Sequence, residues 1–384
     1  MPTVADALRQ HVPAYYAKFG ERVPLGHRKV LDLITRCRTG ELGGVLYQCQ
    51  SCQHEHWVGR SCGNRHCPNC GSHKTAEWLA KQSKKMLPVH HFLVTFTVPE
   101  ELRPLLRAHQ PIGYRELFRC GSQTILDVAG STKSLKDCRL GFFGVLHTWG
   151  RDPLVYHPHV HFVVPGGGVN EDRSAWCSTP TNFFLHHGTL IQVYKAKFAD
   201  AMRDAKLYDE IPAEAWNGKW VVDVHPVGDG QAVLKYLAPY VHRVAISNNR
   251  ILACDEDSVT YRYTPSGTKV SKTRRVTGEQ FVHGFTQHIL PSGFQKVHHY
   301  GWMSANCGLK FEEVKWLVWL FLGWTFWLAS VFGRPSEPPP SPKMRCARCG
   351  GQMFAICVIV NVPITPGPVS RALPEHSVSY LDSG

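Results

Sequence analysis

Acidic side chains are scarce in this 384-residue chain: 30 Asp plus Glu stand against 43 Lys plus Arg, a formal charge of +13 with a pI near 9.1. That balance suits a polyanion partner such as nucleic acid. Long apolar runs are also missing. The aromatic-rich stretch Trp316 to Phe332 runs seventeen residues without a charge, short of the roughly 20 that cross a bilayer, and is expected to be a helix buried on the preceding domain, with no membrane partner. Met1 to Pro24 holds neither an apolar run nor a cleavage signature, so a cytoplasmic location is expected. There is no Gly-x4-Gly-Lys-Ser/Thr stretch for nucleotide phosphates, and no internal repeat.

Cysteine, in contrast, is plentiful at fourteen. In a reducing compartment these are thiols or metal ligands rather than disulfides. Cys49-x2-Cys52, fourteen residues, then Cys67-x2-Cys70 is the spacing of a zinc ribbon, in which two thiolate knuckles close a tetrahedral structural site. Cys346-x2-Cys349 is half of another such site, with Cys357 or Cys307 as the obvious further thiols.

The segment His157-Pro-His-Val-His161 runs into Phe162-Val163-Val164 and Gly166-Gly167-Gly168. As a β-strand it places His159 and His161 on one face and Val160 and Phe162 on the other. Paired neutral imidazoles hold a divalent cation with open positions. His147, on the preceding strand, is the first choice for a third ligand and His157 the second. Farther on, Val233, Leu234, Leu237, Val241 and Val244 form one apolar helical stripe, with Tyr236, Tyr240 and Arg243 on an adjoining face. Tyrosines four apart on a helix lie about 5 to 6 Å from each other and can address one site.

The expected order from His91 is strand, helix, strand, strand, helix, strand, then the tyrosine helix: an α+β fold whose split βαβ arrangement gives a ferredoxin-like antiparallel sheet. The expected division is a helical segment 1–45, a zinc-ribbon module 46–73, a catalytic core 88–245, a basic and helical extension 246–334, and a proline-rich linker and tail 335–384 carrying the Cys-x-x-Cys knuckle. Within the extension a basic turn spans Lys269 to Arg275, and a helix runs from Gly278 to about Leu290.

Four segments in order resemble one family: CRTGELGGVLYQCQSCQHEHWVGRSCGNRHCPNC from Cys37, HPHVHFVVPGGG from His157, YLAPYVHRVAISNNRI from Tyr236 and QHILPSGFQKVHHYG from Gln287. They are similar to the rolling-circle transposases of bacterial insertion sequences, the HUH two-tyrosine type related to plasmid replication initiators, over about residues 25 to 355. The resemblance implies nicking and joining of single-stranded DNA at transposon ends and target through a 5′-phosphotyrosine. It gives Tyr236 and Tyr240 the nucleophile role and His159 and His161 the Mg²⁺ or Mn²⁺. The four paired cysteines take the Zn²⁺. Arg243, Arg250, Lys269, Lys272, Arg274 and Arg275 are the DNA-binding candidates, and a separate helicase is the implied partner because the chain has no P-loop. Pro239 stands between the tyrosines where the family has a basic residue, which leaves a catalytically impaired DNA-binding remnant as one alternative and a plasmid-type replication initiator as another.

Overall fold

A computed structural model describes residues 1–241, 245–265, 267–268, 270–325 and 344–359, with the side chains of Ser72, His73 and Tyr240 outside the description. Helices α1 (Val4–Phe19) and α2 (Leu25–Thr35) open the chain, followed by β1 (Gly44–Cys49), β2 (Glu55–Gly59) and α3 (Ser72–Ser83). Then come β3 (His91–Thr97), α4 (Arg103–Ala108), α5 (Gln110–Gly130), β4 (Cys138–Arg139), β5 (Gly141–Trp149) and β6 (Tyr156–Pro165). The hairpin β7 (Gly167–Asn170) and β8 (Trp176–Ser178) leads to α6 (His187–Asp204), α7 (Ala213–Asn217), β9 (Val222–Pro226) and α8 (Gln231–Val241). The remainder is β10 (Ile251–Cys254), β11 (Ser258–Tyr263), β12 (Lys272–Thr277), α9 (Gly278–Thr286), β13 (Val297–Gly301), α10 (Phe311–Leu322) and β14 (Met353–Ile359).

The largest sheet has the order β13-β5-β6-β3-β9, with every neighbouring pair antiparallel. Its central strands are β-branched and aromatic on one face, as residues buried between a sheet and helices must be. Phe92, Val94, Phe96, Val160, Phe162 and Val164 point into a core shared with α5 and α6. Phe162 is the hub of that core: its ring packs against Phe96, Phe118, Phe142 and Tyr300. Gly121 and Gly144 give it room, since a Cβ on either would come within 2.7 Å of the ring. The opposite face carries Phe143, Val145 and Val163 and is covered by α3, α8 and α10.

A second core joins the chain's beginning to its later part, with Val4, Leu8, Val12, Leu31 and Ile34 of α1 and α2 packing on Tyr261, Phe281 and Phe285. α1 is locked at its start by Thr3, whose hydroxyl accepts from the Asp6 amide while the Asp6 carboxylate accepts from the Thr3 amide.

Several expectations change. The basic segment Lys269 to Arg275, read as a turn, contributes β12, which pairs along β11 from Tyr263↔Lys272 to Ser258↔Thr277. The helix expected over Gly278 to Leu290 stops at Thr286. β13 adds a strand beside β5 where none was expected. The apolar stretch from Trp316 is only half buried: α10 seats Val314, Leu317 and Val318 in the core, while Trp316, Leu320 and Phe321 each stay more than half exposed and Trp324 is 87% exposed. Its residues beyond 325 lie outside the described set. Among the described residues no helix is long and apolar enough to cross a membrane.

Candidate metal centre and tyrosine helix

The histidines meet because β5 and β6 are paired in a register that sets His147 opposite His159 and Val145 opposite His161. Strand alternation does the rest, turning His159 and His161 away from the Phe162 core. Their Nε2 atoms face each other at 3.1 Å, and with His147 the three ligand nitrogens all lie within 4.8 Å of one another. A divalent ion about 2.1 Å from two nitrogens at a right angle sets them about 3 Å apart, so the pair fits such an ion. Of the two candidates for a third ligand, His147 is the one whose ring nitrogen lies with this pair. His157 lines the same cavity without joining the set, and its backbone carbonyl accepts a bond of 2.8 Å from His159 Nδ1.

That bond fixes the His159 tautomer, with hydrogen on Nδ1 and the lone pair on Nε2. The His161 ring is oriented by Thr95, whose Oγ1 lies 2.7 Å from Nδ1. Burial pushes the pKa of His147 and His159 well below the ordinary histidine value and that of His161 down to about 4. All three rings are neutral at pH 7, the form that binds a metal. Behind them, Trp149 stacks on His147 with centroids 5.8 Å apart and planes 9° from parallel. Lys296 sits 5.6 Å from the centre of the Trp149 ring. Burial, then Arg65, pushes that lysine down to about 7; its place opposite the β5 backbone gave no signal in the sequence.

Helix α8 presents its tyrosine to this centre. Val233, Leu234, Leu237 and Val241 are buried as the stripe required, while Tyr236 is 50% exposed. The Tyr236 ring stands edge-on to His161 with centroids 6.3 Å apart. Backbone helicity continues through Pro239 to Val241. Tyr240 belongs to the same helix, and its side chain lies outside the described set, as do Val244, Arg243 and Lys269.

Tyr236 and the histidines open into one cavity of about 300 Å³, completed by Thr95, Thr97, Trp149, Arg151, Arg250 and Thr264. Larger hollows occur elsewhere, of about 900 Å³ between α5 and the Pro291–Tyr300 segment and about 660 Å³ beside Arg103 and His283. Neither holds the histidine set, so chemistry rather than size picks the site. Of the other basic candidates, Lys272 is exposed on β12, Arg274 pairs with Asp152, and Arg275 pairs with Asp255 at 3.1 Å.

The cysteines group differently from the expected ribbon. Cys49, Cys52, Cys67 and Cys70 do not close one site. Cys67 and Cys70 join Cys37 and Cys62, whereas Cys49 and Cys52 join Cys346 and Cys349; neither Cys357 nor Cys307 completes the C-terminal knuckle. The reason is topological: β1 turns the first knuckle toward β14, while the second, leading into α3, folds back against the end of α2. In the first set Sγ separations are 3.5 Å for Cys37 to Cys70 and 3.7 Å for both Cys62 to Cys70 and Cys67 to Cys37. Zinc about 2.3 Å from each sulfur of a tetrahedron sets the sulfurs about 3.8 Å apart, so the set fits that ion. In the second set, the Cys52 and Ser51 amides lower the Cys49 pKa to about 6.

Residues 141–310 match the family described as "Putative transposase", and residues 7–98 match the "Transposase zinc-binding domain". The chain is 32% identical over 335 residues to "Putative transposase y4qJ" of Sinorhizobium fredii, covering 82% of each chain. It is 24% identical over 364 residues to "Transposase for insertion sequence element IS801" of Pseudomonas savastanoi pv. phaseolicola, covering 85% of this chain and 83% of that one. No solved structure matches the chain. With two domain families in order and a relative aligned over most of both lengths, the chain belongs to the IS91-like insertion-sequence transposases.

Proposed function

We propose that this transposase nicks and rejoins single-stranded DNA at the ends of its insertion sequence through a 5′-phosphotyrosine, by the HUH two-tyrosine mechanism. The observation that carries the reading is the placing of the Tyr236 ring 6.3 Å from His161, over a cavity lined by three histidines with neutral, metal-competent nitrogens. The strand order β5-β6-β3-β9, threaded strand, helix, strand, strand, helix, strand, supports a ferredoxin-like core of the HUH kind.

His147, His159 and His161 would hold Mg²⁺ or Mn²⁺, which when bound polarises the scissile phosphate and neutralises its charge. Tyr236 supplies the nucleophile: its phenol oxygen forms a bond to phosphorus, the phenol proton passes to solvent, and the 3′ oxygen leaves and is protonated. The 5′-phosphotyrosine retains the energy of the broken ester for rejoining. Tyr240, on the same helix, would serve a second transfer, as rolling-circle transposition requires. Arg250 and Arg151 line the approach and suit the phosphates on either side of the cut. Single-stranded substrate follows from a nucleophile that reaches an unpaired backbone, with a separate helicase supplying the strand in the nucleoid.

Purified protein incubated with a single-stranded oligonucleotide of the element's end and Mg²⁺ is expected to give a covalent adduct that the double variant Tyr236→Phe with Tyr240→Phe does not form. Salt-sensitive binding without adduct under any divalent metal would instead favour the catalytically impaired remnant.

A further inference from the structure

The C-terminal knuckle has no partner near it in sequence, yet it meets a matching one. Cys49 and Cys349 sulfurs lie 3.4 Å apart, and those of Cys52 and Cys346 3.7 Å, bridging 300 and 294 positions of chain. Both contacts are far longer than a disulfide of about 2.05 Å and near a tetrahedral thiolate edge. The two knuckles also share a backbone form. In each, the residue after the second cysteine is left-handed, Gln53 at φ 59° and Gly350 at φ 74°. In each, its amide donates to the carbonyl of the first cysteine, Gln53 to Cys49 at 3.0 Å and Gly350 to Cys346 at 2.9 Å. Two equivalent knuckles facing each other across one point are what a four-thiolate metal site needs.

We propose that this tetrad is a second zinc site, distinct from the one formed by Cys37, Cys62, Cys67 and Cys70, and that it fastens the C-terminal segment to the N-terminal module. β14 is the strand it fastens. That strand runs antiparallel to β1 from Cys49↔Met353 to Gly44↔Ile359 and makes β1 the middle strand of a three-stranded sheet. The N-terminal knuckle alone offers two ligands, and the other two come from the far end of the chain. The site therefore cannot fill until Cys349 has been made, whereas the first site needs nothing beyond Cys70. Metal closure fits β14 better than strand pairing alone, because its register shifts between Leu46 and Tyr47 and several of its side chains, including Phe354 and Ile359, stay exposed.

Metal content tests this on the full chain without reading DNA cleavage. Native mass spectrometry of the zinc-replete protein is expected to show two zinc ions, and the double variant Cys346→Ser with Cys349→Ser one. Alkylation guards against misfolding of the variant: in the wild-type chain zinc should protect Cys346 and Cys349 from iodoacetamide, and chelation should expose them together with Cys49 and Cys52. A single zinc in the wild type, two in the double variant, or free alkylation of Cys346 and Cys349 in the zinc-replete chain would overturn the proposal.

Discussion

Thr95 Oγ1 lies 2.7 Å from His161 Nδ1, across the register pair that joins β3 to β6. This hydroxyl orients the imidazole from behind, leaving Nε2 aimed at its counterpart on His159. Outer partners of this kind typically alter metal affinity by about 10 to 100-fold when removed. Thr95→Val keeps the shape and deletes the hydrogen bond. Mn²⁺ binding followed by electron paramagnetic resonance should weaken by about that factor while the melting temperature changes little; unchanged affinity would remove Thr95 from the site's support.

Arg250 offers a second handle on the same cavity. Its Nη1 atom is buried without a hydrogen-bond partner among the described residues, at a position lining the space shared by His159, His161 and Tyr236. A guanidinium so placed suits a phosphate oxygen, and losing one such donor costs about 10²-fold in rate. Arg250→Ala is expected to slow adduct formation by about that much with Mn²⁺ affinity intact, and Arg250→Lys to restore part of it. A parallel fall in metal binding would mean that the residue shapes the site rather than contacting DNA.

The strand that carries the histidines depends on the ring behind it. Phe162 is fully buried and touches four other aromatic rings. Phe162→Ala should lower stability by about 3 to 5 kcal/mol, measured by denaturant unfolding. A loss below about 1 kcal/mol would show that the core collapses freely around the site.

Acid should destabilise the fold through its buried histidines. Burial lowers His66 to about 2, His288 to about 3 and His91 to about 4. Below the ordinary value of about 6.5 the unfolded chain takes up protons that these folded rings refuse. Their contribution is complete above that pH and falls as pH drops toward 4, by about 2 kcal/mol per histidine at pH 5. His288→Gln should flatten the dependence of stability on pH between 6.5 and 4, and an unaltered slope would contradict the assignment.

Much of this arrangement was legible in the chain because it is governed by local periodicity. A two-residue repeat separates His159 and His161 from Val160 and Phe162, and a helical stripe separates Leu234 and Leu237 from Tyr236. What periodicity does not encode is which distant partner completes a set. Any two Cys-x-x-Cys knuckles look compatible in sequence, and the fold pairs each with a thiol pair other than the nearest knuckle. The hint was arithmetic: six thiols between Cys37 and Cys70, with two more at Cys346 and Cys349, make two complete tetrads, whereas one ribbon leaves Cys37 and Cys62 idle. β13 stayed hidden for another reason. As an edge strand reading Val-His-His-Tyr-Gly it is only partly buried, so it lacks a clear apolar alternation. Likewise, the aromatic run from Trp316 carried no signal of where its helix would leave the core.

The most direct measurement of the central claim is peptide mass spectrometry of the protein after reaction with a single-stranded element end in Mg²⁺. A peptide bearing a 5′-nucleotide on Tyr236 is expected, absent in His159→Ala with His161→Ala and in metal-free buffer. Cleavage that proceeds undiminished in Tyr236→Phe, or an adduct formed without the histidines, would contradict it.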